Sequence, residues 1–257
     1  MPIITLTTDL GTKDYYVSAV KGAILRELPG TVIVDISHQV PTYNIQQAAY
    51  ILANAWKDFP AGTVHIIGVN AEASSKICHL GILNQGHYFI GADNGIFSLL
   101  FDKVPEMMVE LNLKQDSDMF TFPTRDVFVK AACHLARGGT LEVIGKRKEG
   151  YTERTVFRPA ISDNSIRGTV IYLDSYSNVT YNITEKLFKE VGKGRPFTIY
   201  FKNNLIDKIS KKYGDVVEGE LLALFNSSGF LEIAQNKGLI GRIQNVQLNE
   251  PITIEFT

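Results

Sequence analysis

The sequence has little cysteine, no apolar run long enough for a membrane, and no excess of charge of either sign. Its two cysteines, Cys78 and Cys133, stand far apart and lack metal-type spacing, so they read as free thiols in a reducing cytoplasm. The five histidines, His38, His65, His79, His87 and His134, include no i,i+4 pair, so no metal site is expected. No apolar stretch approaches the roughly 20 residues of a membrane helix. The opening Met-Pro-Ile-Ile-Thr-Leu lacks a charged n-region and a cleavage pattern and reads as a buried strand, not a secretion signal. A formal net charge of -1 leaves no basic face for nucleic acid or an anionic membrane. There is no Gly-x-Gly-x-x-Gly and no Gly-Lys-Ser/Thr loop, which disfavours the dinucleotide and nucleoside-triphosphate versions of an α/β fold and argues against an ordinary Rossmann oxidoreductase. Internal repeats and low-complexity segments are missing as well.

What is present fits an ordinary globular protein. The 257 residues are 45% apolar and 21% charged, enough for one large domain or two modest ones. The first half alternates strands and helices. Strands are expected at Ile3 to Thr7, Val32 to Ile36 and Val64 to Val69, with helices over Tyr15 to Leu28 and residues 44 to 57. Pro29-Gly30 stops the first helix. Shorter strands follow at Leu80–Leu83, Tyr88–Ile90 and Met107–Leu113, and a helix from about Arg125 to Ala136. This order favours a Rossmann-like, mostly parallel sheet with helices on both faces. A polar, turn-rich stretch around Arg158-Pro159 and Ser162 to Ser165 marks a boundary, dividing an α/β domain over 1–160 from a second domain over 166–257. The second half carries short β patterns at Thr169–Leu173, Phe197–Phe201, Leu221–Phe225, Phe230–Ala234 and Ile252–Phe256, with one helix at about Thr184 to Val191. Such spacing reads as a small β-barrel or sandwich.

Three polar segments could carry chemistry. Asp9 ends the first strand just before a helix, the edge where open α/β sheets bind ligands. A carboxylate there can accept hydrogen bonds from a ribose diol, or can cap the helix. Asp174 to Asn182 follows an apolar strand; it is either an Asn/Ser turn or a rim of amide and carboxylate groups for a zwitterionic ligand. Asn226 to Asn236 reads alone as a hairpin turn between strands.

Taken together and in order, these segments resemble the superfamily of S-adenosylmethionine-cleaving hydroxide adenosyltransferases, chlorinases and fluorinases. The resemblance rests on Thr8 to Asp14, Val34 to His38, Asp93 to Leu99, Thr121 to Phe128 with Ala131 to Ala136, and Asn226 to Asn236. It implies an N-terminal α/β domain, a small C-terminal β-barrel, and a homotrimer with sites formed between neighbouring subunits. It implies S-adenosylmethionine as substrate or ligand, with no separate cofactor. By motif, Asp9 holds the ribose hydroxyls, Asp14 supports that end of the pocket, and Tyr43 is the aromatic beside the sugar. Asp174, Asn178 and Ser227 contact the amino-acid portion of methionine, and Tyr176 flanks the adenine or sugar.

The chemistry so implied is substitution at the ribose carbon next to the sulfonium. Methionine leaves as a neutral thioether, so the protein must align and desolvate the nucleophile. Hydroxide-using members carry an Asp in an Asp-Pro-Gly-Val-Gly stretch, an Arg shortly after, and a His before Gly-Arg-Asp. Here those places are Asn70, Lys76 and Pro123. An amide is no carboxylate base and proline has no side-chain hydrogen bond to offer. Glu72 and His79 are alternative bases; His79 also reads as a sheet-edge histidine. Thr124 occupies the place where fluoride-using relatives put a small hydroxyl residue, or it is the helix N-cap. The compact Leu80 to Gly95 stretch lacks the insertion of the fluoride enzymes. The expectation is an enzyme releasing adenosine with Asn70, Lys76 and Thr124 at an altered nucleophile site. A ligand-binding protein without turnover and a halogenase are the alternatives.

Overall fold

A computed structural model describes the chain except for residues 116, 117, 119, 156 and 157. The chain divides into two compact units, Met1–Thr155 and Val156–Thr257.

The first unit runs β1 (Ile3–Thr8), α1 (Tyr16–Glu27), β2 (Val32–Ser37), α2 (Ile45–Ala53), β3 (Val64–Gly68), β4 (His79–Asn84), β5 (His87–Ala92), α3 (Ile96–Leu100), β6 (Met107–Leu111), α4 (Val129–Ala136), α5 (Leu141–Ile144) and β7 (Gly145–Arg147). Its sheet has the order β2-β1-β3-β5-β4-β6-β7. The β2-β1-β3-β5 half is parallel. The β4, β6 and β7 strands pair antiparallel because β4 and β5 form a hairpin, turned at Gln85 and Gly86 with φ of 50° and 75°. Strand residues alternate between two cores. Ile4, Leu6, Val64 and Ile66 pack under α1 and α4; Ile67, Leu80, Ile82 and Phe89 pack under α2 and α3.

Several boundaries differ from the sequence expectation. The helix expected over 44 to 57 ends at Ala53, and Trp56–Asp58 forms a separate 3-10 turn. Asn44 caps it, its side chain accepting from the Gln47 amide at 3.0 Å. The Arg125 to Ala136 helix opens one residue earlier, as a π-turn over Thr124–Phe128. Its cap is Pro123, with no side-chain cap bond, so Thr124 is not an N-cap residue.

The second unit runs β8 (Ala160–Ile161), β9 (Ser165–Leu173), β10 (Val179–Thr184), α6 (Glu185–Gly192), β11 (Phe197–Phe201), β12 (Asn204–Ile206), β13 (Ile209–Ser210), β14 (Leu221–Phe225), β15 (Phe230–Gln235), α7 (Ile240–Ile243) and β16 (Pro251–Phe256). The strands follow the order β12-β11-β16-β9-β10-β15-β14-β13, with β8 beside β9. The sheet curls into a half-barrel around Ile166, Tyr181, Ile199, Leu231, Ile233 and Ile254. On α6, Phe188 meets Phe197, Phe225 and Phe256 at ring centroid distances of 5.0, 5.4 and 5.4 Å. The polar turn expected over 174 to 182 ends early. From Val179 on the chain is strand, and Thr180, Tyr181 and Asn182 are buried in it.

Candidate functional site

Parallel pairing brings the carboxyl ends of β1, β2 and β3 to one edge of the first sheet. The β1-to-β2 connection passes over one face through α1 and the β2-to-β3 connection over the other through α2. The topological switch point therefore lies between β1 and β3, where doubly wound sheets open a crevice. Asp9 follows β1 and Asn70 follows β3, one on each side of it.

Among the described residues the Asp9 carboxylate is held by backbone amides, not by a cation. Its Oδ2 accepts from the Tyr43 amide at 2.9 Å and from the Asn70 amide at 3.4 Å. Both donors are left-handed, with φ of 63° at Tyr43 and 46° at Asn70. Such backbone in non-glycine residues persists only where the surroundings impose it. At Asn70 the imposing groups are visible. The buried Asn94 side chain donates Nδ2 to the Val69 carbonyl at 3.1 Å and to the Asn70 carbonyl at 3.0 Å. His79 holds the next carbonyl, Ala71, through Nε2 at 2.9 Å. That bond fixes the Nε2–H tautomer of a neutral ring. Burial lowers the His79 pKa, partly opposed by the Ala71 carbonyl. His79 begins β4, which lies inside the sheet between β5 and β6, so it is not an edge histidine. Asp9 Oδ1 has no hydrogen-bond partner among the described residues and remains available to a ligand.

Thr124 closes one side of this edge. It is buried, and a Cβ at Gly68 would stand 2.8 Å from its Cγ2, 2.9 Å from its Oγ1 and 3.2 Å from Thr8 Cγ2. Gly68 is therefore needed for Thr124 to rest against the end of β3. Thr8 Oγ1 is bonded to His38 Nδ1 at 2.7 Å. Asp9, Tyr43, Asn70 and Thr124 thus gather at one edge. Tyr43 exposes its side chain there, and Asp14, in the loop between β1 and α1, is also exposed. Glu72 and Lys76 have no hydrogen bond to these residues among the described ones. Both are exposed on the loop after Asn70, and Lys76 sits in a turn closed by reciprocal backbone bonds between Ser74 and Ile77. Pro123 supplies no polar side-chain atom.

In the second unit Asp174 and Asn178 bond to each other. Asp174 Oδ1 accepts from the Asn178 amide at 2.8 Å and Oδ2 from Asn178 Nδ2 at 3.0 Å. Ser177 between them is left-handed, at φ 61°. Tyr176 is 74% exposed, and Ser227 is exposed at the tip of the β14–β15 turn. Sequence reasoning missed Asn94: it lies inside the Asp93 to Leu99 motif, but a buried polar residue announces its partners only through the fold. Among the described residues no group of His, Cys, Asp and Glu could hold a metal ion, and no helix is long and apolar enough to cross a membrane.

Fold and site define a doubly wound α/β ligand-binding unit with a carboxylate at its switch point, followed by a curled β unit with polar loops. The comparisons with known proteins make this specific: the chain belongs to the S-adenosylmethionine hydroxide adenosyltransferase family. The family's N-terminal domain model matches residues 4–145 and its C-terminal domain model residues 168–253. An (R)-S-adenosyl-L-methionine hydrolase of Methanocaldococcus jannaschii is 30% identical, covering 100% of this chain and 97% of its own. The Thermus thermophilus hydrolase of the same name is 29% identical over 90% of this chain and 91% of its own. A fluorinase of Nocardia brasiliensis is 25% identical over 99% and 97%. A crystal structure of a conserved protein from Thermotoga maritima superposes with a TM-score of 0.89 at 30% identity, covering 98% of this chain and 99% of the other.

Proposed function

We propose that this protein binds S-adenosylmethionine and cleaves it to adenosine and methionine, with water attacking the ribose carbon that bears the sulfonium. The observation that carries the reading is Asp9. One oxygen is fixed by two backbone amides at the switch point and the other is open, an arrangement that can accept from a ribose diol without reorganising. Hydrolase relatives over almost the whole chain support the same reaction. Asn70 and Thr124 line the nucleophile side in this reading. Asp174, Asn178, Tyr176 and Ser227 serve the amino-acid and adenine ends. The leaving group is neutral, so no acid is needed at sulfur. The proton must come off water, and neither Asn70 nor Pro123 can take it. The homotrimer and the cytoplasmic location belong to the same proposal and rest on the family resemblance and the free cysteines. Light scattering checks the trimer.

The missing base favours a second reading, a protein that holds S-adenosylmethionine with little turnover. Incubation with S-adenosylmethionine, with and without chloride, followed by chromatography separates the outcomes. Adenosine and methionine are expected. A chlorinated nucleoside would establish halogenase chemistry at Thr124, and binding with no nucleoside released would establish the binding protein.

A further inference from the structure

The two loops given above to the amino-acid end of the ligand are linked by groups that have so far had no role. The Asp174–Asn178 loop leads into β10, and the Asn226–Gly229 turn joins β14 to β15. β15 lies between β10 and β14, with Glu232 opposite Thr180 on one side and Leu224 on the other. Glu232 is 4% exposed. A carboxylate so deep in a sheet is costly unless partnered. Its partners come from two directions. Oε1 accepts from the Tyr213 hydroxyl at 2.7 Å, and Oε2 accepts from Asn226 Nδ2 at 3.1 Å. Asn226 in turn uses Oδ1 to accept the Ser228 and Phe230 amides at 3.1 and 3.2 Å. The Glu232 bond thus fixes the amide plane that shapes the turn carrying Ser227. Burial raises the Tyr213 pKa, and so do its bond to Glu232 and the charges of Glu232 and Asp174, keeping the phenol a donor. The influence of Asp174 puts Tyr213 within electrostatic reach of the other loop.

We propose that Glu232 and Tyr213 are positioning residues for an α-amino-acid zwitterion, holding the Ser227 turn in register with the Asp174–Asn178 loop through Asn226. The inference deepens the reading of the previous section and rests on it. It makes a demand that a purely structural role does not: the pair should matter for the amino-acid end of the ligand and not for the nucleoside end.

Calorimetry on the full chain with S-adenosylmethionine and with adenosine tests this. Tyr213→Phe keeps the ring and removes only the donor. It should weaken S-adenosylmethionine about tenfold, the scale of one lost hydrogen bond to a buried carboxylate, and leave adenosine within about twofold. Glu232→Gln should show the same selectivity, weakening S-adenosylmethionine and sparing adenosine. If Glu232→Gln fails to fold, Tyr213→Phe carries the test, because Tyr213 is 44% exposed and its ring stays. Equal losses for both ligands, or none for either, would overturn the positioning role while leaving the proposed function intact. Wild-type protein that binds adenosine but not S-adenosylmethionine would overturn the proposed function, and this inference with it.

Discussion

Asp9→Asn and Asp9→Ala are expected to part company. The carboxylate does two jobs, one for the chain and one for the ligand. For the chain, Oδ2 accepts two amides from left-handed residues, at 2.9 and 3.4 Å. Alanine leaves both amides without that acceptor and releases the restraint on backbone that costs on the order of 1–3 kcal/mol per residue to hold. Asp9 is only partly buried and the second bond is long, so the lower end applies. A loss of about 2 kcal/mol is expected, which for a chain of this size lowers Tm by roughly 4–8 °C. Asparagine keeps a carbonyl oxygen for the same amides, and its Tm should stay within about 2 °C. For the ligand the ranking changes. With its oxygen turned to the amides, asparagine presents NH2 where Oδ1 stood, and a donor cannot receive two ribose hydroxyls. Both variants should therefore weaken adenosine by roughly 10–150-fold, the equivalent of about 1.5–3 kcal/mol. Calorimetry with adenosine and 2′,3′-dideoxyadenosine isolates the diol. Wild type should prefer adenosine, and Asp9→Asn should lose the preference. An Asp9→Asn protein that still discriminates as wild type does would refute the ribose assignment and leave Asp9 a backbone anchor.

Two further perturbations test the packing of the first unit. Gly68→Ala drives a Cβ to 2.8 Å from Thr124 Cγ2, so it should destabilise by about 1–3 kcal/mol in a denaturant titration, and Thr124→Ser, which deletes that methyl, should recover part of the loss. Full stability in Gly68→Ala would show that Thr124 is not seated as described. His65 is fully buried, bonded to Thr5 Oγ1 at 2.7 Å and to His87 Nδ1 at 3.2 Å, and burial, with the neighbouring His87, lowers its pKa to about 3. Its folded pKa lies below the unfolded value, so the stability it contributes is complete above about pH 6.5 and is lost as pH falls toward 3. The slope from this one group is about 1.4 kcal/mol per pH unit, or about 2 kcal/mol between pH 6.5 and 5. His65→Gln should flatten the pH dependence by that amount, and an unchanged slope would show that His65 is not the group responsible.

The sequence made the parallel half of the first sheet legible because its strands are apolar runs and its helices keep helical spacing. It also made Asp9 legible, since a carboxylate at a strand end before a helix is a positional signal. What stayed hidden was settled by long-range pairing. β10 reads as a polar turn, because Thr180 and Asn182 are polar and only burial against the curled sheet makes them strand. Thr124 reads as a helix cap until Pro123 is seen to take the cap position and Thr124 to be the first residue of the π-turn. Asn70 reads as a lost carboxylate. Its left-handed backbone, and the clamp by Asn94 24 residues away, have no local signature. Glu232 lies in a stretch that reads only as a strand after a hairpin turn, and the fold brings it onto Tyr213 and Asn226.

Restoring a base at the nucleophile side is the decisive perturbation for turnover. Asn70→Asp should be tolerated by the backbone, because aspartate adopts the left-handed region nearly as well as asparagine, and φ there is 46°. The Asn94 bond goes to the Asn70 carbonyl and the Asp9 bond comes from the Asn70 amide, so neither depends on the side chain. The new carboxylate would stand two residues past the end of β3, near that of Asp9. Like charge at this range raises the pKa of one of the pair, which moves a carboxylate toward the range of a useful general base. Pro123 has helical φ and ψ of -61° and -29°, which histidine can adopt, at a cost of roughly 0.4–1 kcal/mol for the freer unfolded chain. Pro123→His would then add a donor or acceptor next to Thr124. Positioned acid–base groups contribute on the order of 10²–10⁴ in rate, so the double variant should release adenosine faster than wild type by a factor in that range. Because both groups act on one water, the two changes should be non-additive. Single-turnover chromatography of adenosine reads this directly. If wild type is already fast and the double variant is slower, another base serves this pocket. Glu72→Gln and His79→Gln then identify it; His79 could act only through Nδ1, because its Nε2 already donates to the Ala71 carbonyl.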